Sequence, residues 1–512
     1  MAALPADHLD PATPPDVVVT DHVRPPVTDP TLGRPLGDHG PAPVGAPAHP
    51  LVVVGDSLTQ GMSSGAVSRT DLAWPAVVAR CLGVGGFTGP RYAGPLDGLP
   101  FNLESLLRAL ERDFGPPLDP LELFVSLPVA LQRLADGNED YWERGAGGAP
   151  PPTGTRYHNL AVYGWDVRDC LSSTAGRAAD RAAARTDDDF TGAVPEHDND
   201  IAAHVVLAPF GRAATQLTAA RRHGLDGGID TLVIALGANN ALTAVVDKKV
   251  VWSGPAFADL DAKQAYTVWR PTHFAQEYGH LVDVVRTIPA RRVLLTTVPH
   301  VTVAPIAHGV NPDRPGQKWR PGSRYFPYYT DPWITEANFR PTTHRHLTHQ
   351  QARAIDSAVD QYNGVIANAV RDARDDGRDW YLFDLCGLLD GLAHRRFATD
   401  ATAAARNGWQ PRAVPPALAG LDTRFFRSDP TGRLQGGLFS LDAVHPTTAG
   451  YGLIAQAVLD VLAVAGVTGK PVDFAALRRE DTLNAQPPAL MNAVLGLLAP
   501  FLDRLLTRRQ PR

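Results

Sequence analysis

The feature that most constrains the fold is a repeated pattern in which a short apolar run stops at a turn and a helix-like segment follows. Five such runs occur, at residues 51–55, 158–162, 231–236, 292–298 and 381–385. Apolar runs of this length are typical of strands that are buried on both faces of a parallel sheet. Their alternation with helices predicts an α/β fold, namely a doubly wound, mostly parallel five-stranded sheet flanked by helices.

The chain of 512 residues is longer than such a sheet requires, so large helical and irregular insertions are expected within one domain at residues 51–465. The insertions are placed at about residues 83–152, 299–349 and 390–437. Residues 1–50 are dense in Pro, Asp and Gly and lack periodicity, which predicts an extended leader. Residues 466–512 form a C-terminal extension that contains an apolar helix.

Composition excludes several classes of function. A net charge of −6 provides no basic surface for nucleic acid. The first residues do not show a positively charged start followed by an apolar run, and no stretch of about 18 apolar residues occurs, so neither a secretory signal nor a membrane span is expected. The cysteines are far apart and odd in number, unlike a disulfide framework, and they are Cys81, Cys170 and Cys386. A cytoplasmic protein is the expectation.

The turn after the first apolar run carries a candidate nucleophile. Gly55-Asp56-Ser57 stops the strand, which places Ser57 at the carboxyl end of a sheet strand, where open α/β sheets bind their ligands. The amides of the helix that follows point back toward the serine and can stabilise a developing negative charge. This motif alone leaves a second interpretation open, in which Ser57 only caps the turn.

Two later turns carry candidate donors for such a charge. Gly164 follows the second run, and a glycine there lets the backbone approach a ligand closely, although a simple turn glycine is the alternative. Asn239 follows the third run, and its side-chain amide can donate a hydrogen bond to an oxyanion without adding a charge. Asparagine is also common in turns for conformational reasons.

A carboxylate and an imidazole lie three residues apart near the end of the apolar pattern. Asp442 and His445 stand just before a helix that is predicted to begin near Pro446. At this spacing the carboxylate can accept the Nδ1 proton and fix the tautomer, which leaves Nε2 to take a proton from a serine. Taken alone, an aspartate and a histidine at this spacing are usually structural, and the catalytic interpretation depends on the other candidate residues.

Three other patterns carry weaker signals. The acidic residues 186–200 resemble a calcium loop at Asp187, Asp189, Gly192 and Asp198, but an aspartate at the twelfth position and Pro195 favour a solvated loop. Three histidines lie close together without a carboxylate or cysteine at a recognised spacing, which argues against a metal site, and they are His344, His346 and His349. Residues 488–508 favour a helix docked on the body over one bound to a lipid surface.

Four of these blocks, taken in order, resemble the SGNH hydrolase superfamily, also called GDSL esterases and lipases. They are Gly55-Asp56-Ser57-Leu58, Gly164, Gly237-Ala238-Asn239-Asn240 and Asp442-Ala443-Val444-His445. The resemblance covers roughly residues 51–461 and implies a flavodoxin-like arrangement of the sheet. In the third block the family usually has Gly-x-Asn-Asp, so Asn240 in place of aspartate predicts altered support around the site.

The resemblance also implies a chemistry. It predicts a serine esterase or lipase that acts through an acyl-enzyme, with Ser57 as nucleophile, His445 as base and Asp442 as its partner. The backbone amides of Ser57 and Gly164 and the side chain of Asn239 would form the oxyanion hole. The substrate would be a small-molecule or lipid ester, and the reaction would need no cofactor and no metal.

Alternatives on the same fold remain open at this point. They are a carbohydrate O-acetyl esterase or an acyltransferase that uses the same site, a catalytically silent binding protein, and a lipase that contacts a lipid surface through its C-terminal helix.

Overall fold

A parallel β-sheet forms the centre of this computed structural model. The structure describes residues 4–21, 23–36, 46–116, 118–119, 121–148, 154–183, 195, 197–393, 409 and 411–507. Within these residues the strands are β1 His49–Gly55, β2 Met62–Ser63, β3 Ala66–Val67, β4 Leu99–Pro100, β5 Ile229–Ala235, β6 Ala290–Thr296, β7 His308–Val310, β8 Tyr328–Thr330, β9 Leu347–Thr348, β10 Trp380–Phe383, β11 Arg427–Asp429 and β12 Gly432–Gln435.

The same residues contain sixteen α-helices. They are α1 Ser57–Gln60, α2 Trp74–Cys81, α3 Leu103–Phe114, α4 Leu127–Glu143, α5 Val167–Ser172, α6 Ala175–Ala183, α7 Asp198–Leu207, α8 Gln216–Leu225, α9 Asn239–Asp247, α10 Pro271–Val285, α11 His349–Asp375, α12 Leu385–Leu392, α13 Thr448–Val464, α14 Phe474–Glu480, α15 Thr482–Ala485 and α16 Met491–Thr507. The predicted α/β class is therefore confirmed.

The central sheet has four parallel strands in the order β1-β5-β6-β10. The prediction had five. The missing one, residues 158–162, runs beside β1 but forms only an isolated parallel bridge, between Asn159 and Val53. The carbonyl of Leu160, the next acceptor along the ladder, takes a hydrogen bond from the side chain of Gln216 at 2.9 Å instead of one from β1. This segment is an edge strip along the sheet rather than a full strand.

Helices cover both faces of the sheet. Alternate residues of each strand point to opposite sides, and apolar side chains on both sides need to be buried. Leu51 and Val53 belong to a buried apolar cluster with side chains of α2, α12 and α13. Val52 and Val54 belong to a second cluster, with side chains of α8, α10 and α11 on the other face. The strands are buried on both sides, which accounts for their continuous apolar sequences.

The segments between the sheet strands build smaller structures at its edges. Strands β2, β3 and β4 form one antiparallel sheet, β7, β8 and β9 form a second, and β11 pairs with β12. Residues 299–349, expected to be irregular, thus contain a small sheet. Residues 394–408 and 410 of the segment 390–437 lie outside the described residues, and so does most of the calcium-like pattern at residues 186–200, including Asp187, Asp189 and Gly192.

Both ends of the chain pack on this body where they are described. Residues near the N-terminus are largely extended and lie along α11 and β10, with Leu382 donating a backbone hydrogen bond to Pro30 and Thr20 donating to the Ser357 hydroxyl. Helix α16 buries Met491 and Val494 in the larger core cluster, as expected for a docked helix. Among the described residues, no helix combines the length and apolar character that crossing a membrane requires.

The sheet core predicts a clear contrast between two leucines. Leu232 in β5 is fully buried, whereas Leu225 at the end of α8 is 58% exposed. Leu232→Ala should lower the free energy of unfolding by about 2–5 kcal/mol, because it leaves a cavity between sheet and helices. Leu225→Ala should change it by about 0.5 kcal/mol or less. Urea denaturation of both variants measures the difference, and equal effects would contradict this packing.

Candidate active site

A tight turn carries Ser57 at the carboxyl end of β1. Asp56 caps α1, its side chain accepting a hydrogen bond from the amide of Leu58 at 3.1 Å. Gly55 has no room for a side chain, since a Cβ there would lie 2.4 Å from Thr59 Oγ1. The glycine therefore allows the strand to turn sharply into the helix and fixes the serine at the edge of the sheet.

Ser57 lies in a hydrogen-bonded chain with two residues from the far end of the sequence. Its Oγ is 2.8 Å from Nε2 of His445, and Nδ1 of His445 is 2.9 Å from Oδ2 of Asp442. All three side chains are buried, with exposed fractions of 5%, 6% and 1% for Ser57, His445 and Asp442. This geometry lets the imidazole take the hydroxyl proton while the carboxylate stabilises the charged ring.

The Asp442 carboxylate is anchored by backbone amides. Its Oδ1 accepts hydrogen bonds from Val444 and His445 at 2.9 and 2.8 Å, and its Oδ2 accepts one from Gly65 at 2.7 Å. Burial acts to raise the pKa of Asp442, but the charge of His445 and the hydrogen bonds outweigh burial and lower the pKa below the usual value. The carboxylate is therefore ionised and oriented at neutral pH.

The turn between Asp442 and His445 is held in an unusual conformation. Ala443 has a φ of 62°, in the left-handed region that residues with a Cβ seldom adopt. Its carbonyl accepts a hydrogen bond from Ile306 at 2.8 Å, and the carbonyl of His445 accepts one from Ser440 at the same distance. These contacts from two segments maintain the strained turn that aims the imidazole at the serine.

The other candidate residues lie at the same edge of the sheet. Gly55 is in register with Ala235 of the neighbouring strand, so the turns that follow β1 and β5 start side by side. Val162 donates a backbone hydrogen bond to Gly55 at 3.1 Å, which brings the turn at residues 163–165 to this edge as well.

Asn239 contacts the residue that follows Gly164. Gly164 has a φ of 78°, a left-handed conformation that favours glycine, and the side-chain amide of Asn239 donates to the carbonyl of Trp165 at 2.8 Å. The structure thus places Asn239 at the start of α9 against the glycine turn.

Gln60 was not singled out from the sequence, although it links the turn at Ser57 to the turn at residues 163–165. It is fully buried; its Oε1 accepts from the amide of Tyr163 at 2.8 Å and its Nε2 donates to the hydroxyl of Tyr92 at 3.1 Å. The buried residues of this short helix are all polar, so no apolar spacing marks Gln60 in the sequence.

A buried ion pair behind the glycine turn was also missed. Nζ of Lys263 lies 2.8 Å from both Asp166 and Asp169, at the start of α5. Asn240, which replaces the expected aspartate, accepts a long hydrogen bond from Val167 of the same helix at 3.4 Å. Together these residues fix the helix that follows Gly164. No local spacing in the sequence predicts these contacts.

A small cleft opens beside the turn that carries Ser57. Asp56 and Leu58, the neighbours of Ser57, line it together with Ala238, and apolar side chains complete its wall: Trp74, Leu236, Val298, Phe383, Leu385 and Ile454. Its free space of about 20 Å³ is about enough for one water molecule.

The histidines considered from the sequence are not brought together. Nδ1 of His344 accepts from the amide of Arg340 at 2.9 Å, and His346 contacts the carbonyl of His344 at 3.0 Å. The ring of His349 stacks on Trp319 with centroids 4.1 Å apart. Each imidazole therefore has a separate local role.

No protein-family model and no curated protein matches this chain. The function is therefore inferred from the four sequence blocks and from the contacts of Ser57, His445 and Asp442.

The lowered pKa of Asp442 predicts a pH dependence of stability. Its ionised form stabilises the fold above the ordinary value of 3.8, and this contribution is lost as the pH falls through the lower pKa of the folded state. Asp442→Asn should therefore destabilise the protein at pH 7 by about 1–3 kcal/mol, and the deficit should shrink below pH 4.

Denaturant titrations between pH 7 and pH 2.5 measure this effect, with Asp460→Asn as the control because that carboxylate on α13 is 59% exposed. If the free energy of unfolding of Asp442→Asn stays lower than that of the parent by the same amount over the whole range, the pKa of Asp442 is not lowered in the folded state.

Proposed function

We propose that this protein is a serine esterase of the SGNH hydrolase superfamily. The observation that carries the proposal is the buried chain from Ser57 Oγ through His445 to Asp442, with distances of 2.8 and 2.9 Å. The three residues come from the first and last blocks of the family resemblance, 388 positions apart for Ser57 and His445, and a purely structural role does not require this order of groups.

The arrangement of the sheet supports the same family. When the edge strip at residues 158–162 is counted beside β1, the spatial order of the segments is second, first, third, fourth and fifth in the sequence. This is the order of the flavodoxin-like fold, in which ligands bind at the carboxyl ends of the strands where the order reverses. Ser57 follows β1 at that position.

The reaction begins with proton transfer. Nε2 of His445 accepts the proton of Ser57 as Oγ attacks the carbonyl carbon of the ester, and Asp442 stabilises the imidazolium. Collapse of the tetrahedral intermediate breaks the bond to the leaving alcohol, which receives the proton from His445. Water then attacks the acyl-enzyme by the same route, releasing the carboxylic acid and the free serine.

The negative charge of the tetrahedral intermediate requires donors that are already in place. The backbone amides of Ser57 and Gly164 and the side chain of Asn239 serve as this oxyanion hole. Gln60 and Lys263 act as positioning residues, since they hold the glycine turn and the start of α5.

A panel of p-nitrophenyl esters from acetate to palmitate measures which length of acyl group the site accepts. Acetylated sugars and an added acceptor alcohol, included in the same panel, separate the esterase from an O-acetyl esterase or an acyltransferase on the same site.

Replacement of the nucleophile should abolish covalent chemistry. Ser57→Ala is expected to remove labelling by a fluorophosphonate and to reduce hydrolysis of p-nitrophenyl acetate to background, because it removes the hydroxyl that forms the acyl-enzyme. Ser126→Ala, at a half-buried serine before α4, is the matched control and should retain both. Unchanged labelling of Ser57→Ala would exclude this mechanism.

Removal of the side-chain donor should slow the chemical step. Asn239→Ala should reduce kcat by about a hundredfold or more with a smaller change in KM, because one oxyanion donor contributes ~3 kcal/mol in the transition state. The exposed Asn368→Ala serves as control. Steady-state kinetics that show an undiminished kcat for Asn239→Ala would refute its role.

A further inference from the structure

Three histidine rings meet at the amino end of the central sheet, at the opposite end of β1 from Ser57. His49 begins β1, His158 lies on the edge strip and His223 is on α8. Nδ1 of His49 is 3.3 Å from Nε2 of His158, and one ring nitrogen of each residue lies within 4.8 Å of the other two. Residues up to 174 positions apart in the sequence thus bring three imidazoles close together.

The spacing suits a transition-metal ion. A tetrahedral zinc site with Zn–N bonds of 2.0–2.1 Å separates its nitrogen ligands by about 3.3–3.4 Å. The observed distance between His49 and His158 is 3.3 Å, and the ring of His223 lies 4.5 Å from His49 and 5.2 Å from His158, measured between centroids. A small rotation of side chains would bring all three nitrogens to the ion.

The second nitrogen of two rings is already engaged outside the cluster. Nε2 of His223 donates to the carbonyl of Tyr157 at 2.9 Å, which leaves its Nδ1 as the coordinating atom. The amide of Thr88 donates to Nδ1 of His158 at 3.3 Å, which places the ring proton on Nε2, facing His49. Zinc binding requires the other tautomer, in which Nδ1–H donates to the hydroxyl of Thr88, 3.1 Å away. An outer hydrogen bond of this kind orients histidine ligands in metal sites.

We propose that His49, His158 and His223 form a binding site for a divalent transition-metal ion, with Zn²⁺ as its occupant. Imidazole nitrogens favour zinc, copper and nickel over calcium or magnesium, and three of them with a fourth position open to water satisfy tetrahedral zinc. The ion would join the start of β1, the edge strip and α8, so its role is structural. It is independent of the proposed esterase chemistry.

A second cluster of possible ligands has a sufficient explanation without metal. His300 contacts Asp390 through Nδ1 at 2.8 Å and Asp360 through Nε2 at 3.1 Å, while Cys386 lies 3.6 Å from Nδ1. Two carboxylates on the two nitrogens stabilise a charged imidazolium, and this accounts for the buried ring.

The test uses the full chain after treatment with a chelator and dialysis. Isothermal titration with ZnCl₂ should detect one tight site per chain, and saturating zinc should raise Tm by about 3–6 °C. His158→Gln and His49→Gln should lose this site and the shift in Tm. The half-buried His204→Gln on α7 and the double variant His344→Gln/His346→Gln should keep both.

Circular dichroism and the urea midpoint in the absence of zinc check that the variants are folded. Thr88→Val provides a second test that leaves every ligand in place, and it should weaken zinc binding by about 10–100-fold. The proposal is overturned if the metal-free protein binds no zinc, or if the His158→Gln, His49→Gln and Thr88→Val variants bind it as tightly as the parent.

Discussion

The contact between Ser57 and His445 depends on one constraint, the alignment of the carboxyl ends of the parallel strands. β1 and β5 end in register at Gly55 and Ala235, and the edge strip joins the same edge through Val162. Turns that are far apart in the sequence therefore start within a few ångströms of one another. The sheet determines where the turns begin, and the conformations of single residues determine where their side chains point.

The site contains buried charge, and each buried charge has a partner. The Asp442 carboxylate is held by three backbone amides and by His445, and Lys263 is held by two aspartates. Burial of an unpaired carboxylate or ammonium group would be very costly, so these contacts are conditions for the fold as well as for the orientation of the site. The strained φ of Ala443 persists because the segments at Ile306 and Ser440 hold the turn from both sides.

The sequence predicted those parts of the molecule that local patterns determine. Apolar runs located the strands of the sheet, and residue type together with the turn identified Ser57, Asp442 and His445 before their contact was visible. The pattern could not show that residues 158–162 would form only an isolated bridge, because that result depends on the side chain of Gln216, which is 56 positions away and occupies the carbonyl of Leu160.

Long-range polar contacts were beyond the reach of the sequence. Gln60 contacts a turn that is about a hundred residues away, and Lys263 reaches a helix at a similar distance along the chain. The three histidines at the amino end of the sheet are equally scattered in the sequence, whereas the imidazoles of His344, His346 and His349, which are close in sequence, each have a different local partner. Spacing in the sequence reveals pairs such as Asp442 and His445 only when a single turn holds both.

We propose that Ser57, His445 and the donors at Gly164 and Asn239 surround a single reacting carbon. A crystal structure of the protein after reaction with a fluorophosphonate is the decisive measurement, because the phosphonyl group imitates the tetrahedral intermediate. We expect a covalent bond from Ser57 Oγ to phosphorus and a phosphonyl oxygen within hydrogen-bond distance of the Gly164 amide and the Asn239 side chain. An adduct on another residue, or an oxygen directed away from both donors, would rule out this arrangement.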